Sequence, residues 1–136
     1  MAAVTVLLDT HALLWWLFDD PKLPAAVRDV ITEPESTVLV SAASAWEIST
    51  KHRLGKLPEA GDVADRLPDL LRRARMTELP ISNIHARLAG ALPGPHRDPF
   101  DRMLIAQCRL EAVPIVTVDP VFHAYGADVI WSEPPS

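Results

Sequence analysis

Short, almost wholly apolar runs alternate along this chain with longer segments whose apolar residues recur every three or four positions. Val4 to Leu8 is continuous and β-branched, and it stops at Asp9-Thr10-His11, the pattern of a strand buried on both faces. Thr37 to Val40 and Ile115 to Val118 repeat that pattern, and Glu78 to Ile81 and Asp128 to Trp131 are shorter versions of it. Helical spacing falls between them: Ala12 to Phe18, Pro24 to Ile31, a segment containing Trp46, Glu47 and Ile48, then Asp62 to Ala74, Asn83 to Leu92 and Pro99 to Glu111. A turn or short helix is expected over Phe122 to Tyr125. Gly55 is placed to end the third helix, and Pro68 predicts a kink or a late start in the fourth. The Ala12 to Phe18 segment is apolar nearly all round, which divides it between the chain's own core and a partner.

Strands alternating with helices predict an α/β fold: one domain over residues 1–132, with a central, mostly parallel sheet of four to five strands and helices on both faces. Residues 133–136 form a short Pro-rich tail. In such open sheets, ligands bind beyond the carboxyl ends of the strands.

Composition narrows the chemistry. With 136 residues, 49% of them hydrophobic, the chain can build a real core, and disorder is excluded. A net charge of −5 argues against nucleic-acid binding by bulk attraction, so any such contact needs a local patch. The single cysteine, Cys108, allows no internal disulfide, and neither a leader-like N-terminus nor a membrane-length apolar run is expected, which points to the cytoplasm and away from membranes. The five histidines are scattered without zinc spacing and are expected mostly on the surface or in loops. A Gly-rich phosphate loop and a Gly-x-Ser-x-Gly turn are both missing.

The carboxylates are better organised. Asp9 follows the first strand, Asp119 follows the fourth, and Glu47 lies in the helix after the second. Asp98 and Asp101 open the helix leading into the fourth strand, in the run His96-Arg97-Asp98-Pro99-Phe100-Asp101-Arg102-Met103-Leu104-Ile105-Ala106-Gln107. Each has a plain structural explanation. Asp commonly ends strands, Ser44-Ala45-Trp46-Glu47 matches a capping box, and Asp98 before Pro99 suits an N-cap. If the first, second and fourth strands are neighbours, however, these acids converge on one edge of the sheet. Clustered carboxylates repel, and a hard divalent cation such as Mg²⁺ or Mn²⁺ relieves that repulsion and can activate water against a phosphoryl group. Lys51, Arg53, Lys56, Arg97 and Arg102 lie close by in sequence and are candidates to hold a phosphate backbone, although solvated helix ends or, for Arg102, an ion pair would also account for them.

Taken in order, Leu7-Leu8-Asp9-Thr10, Glu47 in a post-strand helix, Asp101-Arg102-Met103-Leu104-Ile105-Ala106 and Val116-Thr117-Val118-Asp119 resemble the PIN domain, and within it the VapC type found in toxin–antitoxin pairs. Arg53-Leu54-Gly55-Lys56-Leu57 and His96 to Gln107 are similar to one subgroup of that family. The resemblance implies an endoribonuclease dependent on Mg²⁺ or Mn²⁺, inhibited by a cognate antitoxin, homodimeric and able to enter a larger toxin–antitoxin complex. It also implies an acidic site of Asp9, Glu47, Asp101 and Asp119. Thr10 and Thr117 would support the first and last acids, and Asp98 would be a subsidiary ligand or a helix cap.

Other classes remain as alternatives. A phospho-acceptor module would want paired acids after the first strand and a late lysine, which are lacking here, and a dehalogenase-like phosphatase would want Asp-x-Asp where Asp9-Thr10-His11 stands. A non-catalytic binding domain and a DNA nuclease of the related flap type are the other readings.

Overall fold

The structure, a computed structural model, describes residues 4–131. The expected tail at 133–136 lies outside the described residues. Five parallel strands form one sheet in the order β3-β2-β1-β4-β5. They are β1 (Thr5–Leu8), β2 (Thr37–Ser41), β3 (Thr77–Leu79), β4 (Ile115–Val116) and β5 (Val129–Ile130). The helices are α1 (Thr10–Leu17), α2 (Ala25–Thr32), α3 (Ala42–Arg53), α4 (Gly61–Arg73), α5 (Asn83–Ala91), α6 (Pro99–Glu111) and α7 (Val121–Ala124), with a 3₁₀ turn at Pro58–Ala60.

β1 holds the centre because both of its faces are apolar. Val6 and Leu8 enter one core with Leu13, Val27, Val40, Ile48, Leu67 and Leu71, whereas Leu7 enters the other with Leu104, Ile105, Ile115 and Phe122. The two cores are the two sheet faces, one packed by α1 to α4 and the other mainly by α5 to α7. Thr5 is in register with Thr37 on β2, and Leu7 with Ile115 on β4. The chain winds to one side of β1 through β2 and β3, then to the other through β4 and β5. The change of direction therefore lies between β1 and β4, where open α/β sheets form a crevice.

Several local expectations are corrected. Ser41, not Ser44, caps α3, its Oγ accepting from the Ala43 amide at 3.0 Å, so Ser44 and Glu47 lie inside the helix and form no capping box. α4 runs unbroken through Pro68, which is exposed, so the backbone bond it cannot donate is lost on the solvent side. β3 begins one residue early and ends at Leu79, and β4 is only two residues long, with Val118 beyond it in solvent. α1 starts two residues early because Asp9 caps it. Gly55 does end α3: it takes φ +76° while the amides of Gly55 and Lys56 donate to the carbonyls of His52 and Lys51, a Schellman closure.

His85 is not a surface residue. It is buried, its Nδ1 accepts from the Ser82 amide at 3.0 Å, and its Nε2 meets Glu111 at 3.0 Å, which places the ring proton on Nε2. The apolar α1 is split: Leu13 and Leu14 are core, Trp15 packs on Trp131 with ring centroids 5.7 Å apart, and Phe18 is exposed. Among the described residues no helix is long and apolar enough to cross a membrane.

Candidate active site

The crevice between β1 and β4 is lined by groups that β1, α3, α6 and the end of β4 bring together. Asp9 follows the last residue of β1 and is 4% exposed. Its Oδ1 accepts from the Thr10 amide at 2.7 Å, and its Oδ2 accepts from the Thr117 hydroxyl at 2.7 Å. Burial pushes its carboxyl above the ordinary value; the Thr117 bond, the His11 charge and the Thr10 amide act the other way, and Glu47 adds to the rise. Thr10 does not bond Asp9 through its hydroxyl. It donates that hydroxyl to Ser44 Oγ at 2.9 Å, which ties the start of α1 to α3.

Glu47 is 3% exposed, one turn beyond Ser44 on α3. One of its oxygens pairs with the Lys51 ammonium a turn later, and the other, Oε1, is buried with no hydrogen-bond partner. An orphaned carboxylate oxygen in the interior is costly and is rarely kept without use. Burial acts to lower Lys51, but the bond and charge of Glu47, with Asp98 and Asp101 behind it, outweigh burial and hold its pKa above the usual value.

Asp98 and Asp101 stand on the first turn of α6. Asp98 Oδ1 accepts from the amides of Phe100 at 2.8 Å and Asp101 at 3.2 Å, so it is the N-cap expected before Pro99. Asp101 Oδ2 meets His96 Nε2 at 2.9 Å. Burial lifts the Asp101 carboxyl to about 6 against the pull of His96, and the charges of Asp98, Asp9 and Glu47 add to the rise.

Asp101 is thus close enough to feel the charges of Asp98, Asp9 and Glu47, and Asp9 that of Glu47. Asp119 is tied to Asp9 through its backbone amide and Thr117 rather than through its carboxylate. Its amide donates to Thr117 Oγ1 at 3.0 Å, the same oxygen whose proton goes to Asp9, and its Oδ1 accepts from the Val121 amide at 3.0 Å at the start of α7. As the side chains lie, no three His, Cys, Asp or Glu groups among the described residues converge tightly enough to grip a metal ion. The donor set nonetheless suits a hard cation. The donors are all oxygens, they are crowded and partly dry, Glu47 Oε1 is unclaimed, and Lys51 supplies positive charge in their midst.

The cations expected to hold a phosphate backbone separate into two groups. Arg53, Lys56 and Arg97 are exposed. Lys51 is engaged with Glu47. Arg102 is corrected: its guanidinium donates to the carbonyls of Ala89, Gly90, Leu92 and His96 at 2.6–3.4 Å rather than pairing with an acid. It fastens the loop that carries His96 against α6. Sequence reasoning missed His96 and Ser44 as members of this site. Ser44 had a signal, since it sits three residues before Glu47 on the same helix face. His96 depends on how the Pro93-Gly94-Pro95 loop closes, which spacing does not show.

The family model of the PIN domain matches residues 6–128. A stretch of 58 residues, 43% of this chain, is 40% identical to "Ribonuclease VapC16" of Mycobacterium tuberculosis, and it spans only 41% of that relative's length. A chain of VapBC2 from Rickettsia felis, solved bound to a promoter DNA fragment, superposes with a TM-score of 0.68 at 15% identity over 94% of this chain and 98% of that one. A chain of a toxin–antitoxin complex from Klebsiella pneumoniae superposes with a TM-score of 0.63 at 16% identity, covering 92% of this chain and 95% of that one.

Proposed function

Because this chain belongs to the PIN-domain family, we propose that it is a metal-dependent endoribonuclease, the toxin of a toxin–antitoxin pair, whose site acids are Asp9, Glu47, Asp101 and Asp119, with Asp98 subsidiary. The observation that carries this reading is the crowding of buried carboxylates at the carboxyl end of β1, with Glu47 Oε1 left unclaimed. Likeness to a VapC ribonuclease and to chains solved in toxin–antitoxin complexes supports it. A cognate antitoxin, a homodimer and a cytoplasmic location belong to the same reading.

Asp9, Asp101 and Asp119 would hold Mg²⁺ or Mn²⁺, with Asp98 subsidiary and Glu47 turned to the water. Bound there, the ion would acidify a water and stabilise charge on the phosphoryl oxygens. The remaining tasks fall to the chain. Thr117 fixes Asp9 in one rotamer, and His96 does the same for Asp101. Glu47 Oε1 orients the attacking water, whose oxygen bonds to phosphorus as the P–O3′ bond breaks. Glu47 takes the water's proton and releases it to solvent, and a solvent water on the far side of phosphorus protonates the departing 3′-oxygen, which leaves a 5′-phosphate and a 3′-hydroxyl. Arg53, Lys56 and Arg97 steady the RNA backbone at the rim.

The test is incubation of total RNA with the purified chain in Mg²⁺ or Mn²⁺, then in EDTA, with Asp101→Asn beside it and its fold checked by circular dichroism. Discrete fragments with 5′-phosphate ends are expected, lost with EDTA and at least about 100-fold slower in the variant. Ends bearing 2′,3′-cyclic phosphate would sink the mechanism, because they arise from attack by the RNA's own 2′-hydroxyl.

A further inference from the structure

We infer that Trp46 is a stacking platform for an unpaired nucleobase of the RNA, next to the scissile phosphate. The inference rests on the ribonuclease reading and names the form of RNA the site accepts. Trp46 immediately precedes Glu47 on α3, so the two side chains leave the helix about 100° apart. Glu47 goes inward, and Trp46 is 54% exposed.

The ring is nevertheless held. Its centroid lies 4.7 Å from that of Phe100 at an interplanar angle of 79°, an edge-to-face contact. Phe100 sits on α6 between Asp98 and Asp101, so the indole is braced on both helices that carry the acids. In an edge-to-face pair Phe100 covers at most one indole face, and more than half of the side chain stays open to a stacking base.

The setting favours a nucleobase over an apolar protein surface. Exposed Arg53 stands seven residues after Trp46, on the same face of α3, with exposed His52 and Lys56 beside it in sequence, and exposed Arg97 stands next to Asp98 at the start of the helix that braces the indole. Phosphates suit such a surround. A chain of net charge −5 also draws little affinity from its overall field, whereas stacking does not depend on net charge. A base can stack on Trp46 only when it has left its own stack, so the site prefers loops and single strands over duplex.

Binding of roughly 12-nucleotide oligoadenylate, and of its duplex with oligouridylate, would be measured for the parent, Trp46→Leu and Trp46→Tyr in EDTA, a length chosen to fill a single-strand groove. Leu keeps an apolar contact for Phe100 without an aromatic face, and Tyr keeps the face. The parent is expected to favour the single strand. Trp46→Leu should bind it about ten-fold or more weakly, and Trp46→Tyr within about three-fold of the parent, with duplex binding unchanged. Equal single-strand binding by folded Trp46→Leu overturns the inference. So does unchanged RNA binding joined to loss of the dimer on size exclusion, or to loss of antitoxin affinity, either of which would make Trp46 a protein contact. Failure of the parent both to bind the oligonucleotide and to cut total RNA would bring down the ribonuclease reading itself, a result distinct from failure of stacking alone.

Discussion

Across 108 residues of sequence, the Thr117 hydroxyl donates to Oδ2 of Asp9 at 2.7 Å, and the same oxygen accepts the Asp119 amide at 3.0 Å. One small side chain thus closes β4 onto β1 and sets the first and last acids of the site relative to each other. Thr117→Val keeps the shape and removes both bonds. It should cost about 1–3 kcal/mol by urea unfolding, since a buried carboxylate oxygen and an amide lose their partner. RNA cleavage should fall at least ten-fold, and Thr117→Ser should recover most of both losses. A Val variant as stable and as active as the parent would remove Thr117 from the site.

Asp101 predicts a pH dependence of stability. Its carboxyl is raised to about 6 from an ordinary 3.8, so the folded state holds a proton there more tightly than the unfolded chain does. The stability it contributes is full below about pH 4 and is lost as pH rises through 6. Asn is neutral throughout. Asp101→Asn should therefore be more stable than the parent at pH 8, by about 3 kcal/mol at most, and the gain should shrink towards zero near pH 4. Denaturation midpoints of the two proteins, compared from pH 4 to 8, give the difference directly. A difference that does not change with pH would count against a buried, proton-binding Asp101.

Arg102 is a tether, so its loss should act on folding and on the site together. Arg102→Ala frees the carbonyls of Ala89, Gly90, Leu92 and His96 and should cost at least about 2 kcal/mol. Lysine cannot reproduce the planar fork, so Arg102→Lys should rescue little. Because the Arg102 guanidinium is taken up by backbone carbonyls, the salt dependence of RNA binding should be the same in a folded, uncharged Arg102→Gln protein as in the parent. Arg97→Ala should instead flatten that dependence by about one counterion. An equal flattening in both variants would return Arg102 to the RNA surface.

α6 ends on Ala112 in the left-handed region, at φ 55° and ψ 47°. An alanine is strained there by about 1–2 kcal/mol, and glycine is not. The greater freedom of glycine in the unfolded chain returns part of that difference. Ala112→Gly should therefore stabilise the fold by about 0.5–1 kcal/mol, read as a higher thermal midpoint with cleavage unchanged. A lower midpoint would contradict this helix ending.

The parts of the fold that local sequence controls were legible. Val4 to Leu8 reads as a strand buried on both faces, and it is the central one. Asp98-Pro99 reads as the start of a helix, and it is one. Placement of acids after strands and at helix starts follows from those elements, so the sequence alone points Asp9, Glu47, Asp98, Asp101 and Asp119 towards one sheet edge. What failed needed partners distant in sequence. Glu47 looked like a capping residue because Ser44 stands three positions before it, yet Ser41 caps the helix and Ser44 answers Thr10 from 34 residues away. Arg102 looked like a surface cation because its partners are backbone carbonyls, which leave no trace in side-chain patterning. His96 reaches Asp101 only by way of a Pro-Gly-Pro loop whose path is a tertiary property.

Ser44, Trp46, Glu47 and Lys51 all ride on two turns of α3, whose ends are fixed by Ser41 and Gly55. A rod with both ends pinned cannot be re-phased a little at a time. Inserting or deleting one residue between the pins rotates everything beyond it by about 100°, which would turn Glu47 out of the interior and Lys51 away from it. Descendants of this chain can lengthen their loops and redraw their rims freely, but α3 must be inherited whole. Within α3 itself, change can come only through substitutions at exposed positions such as Trp46, in a segment whose length stays frozen.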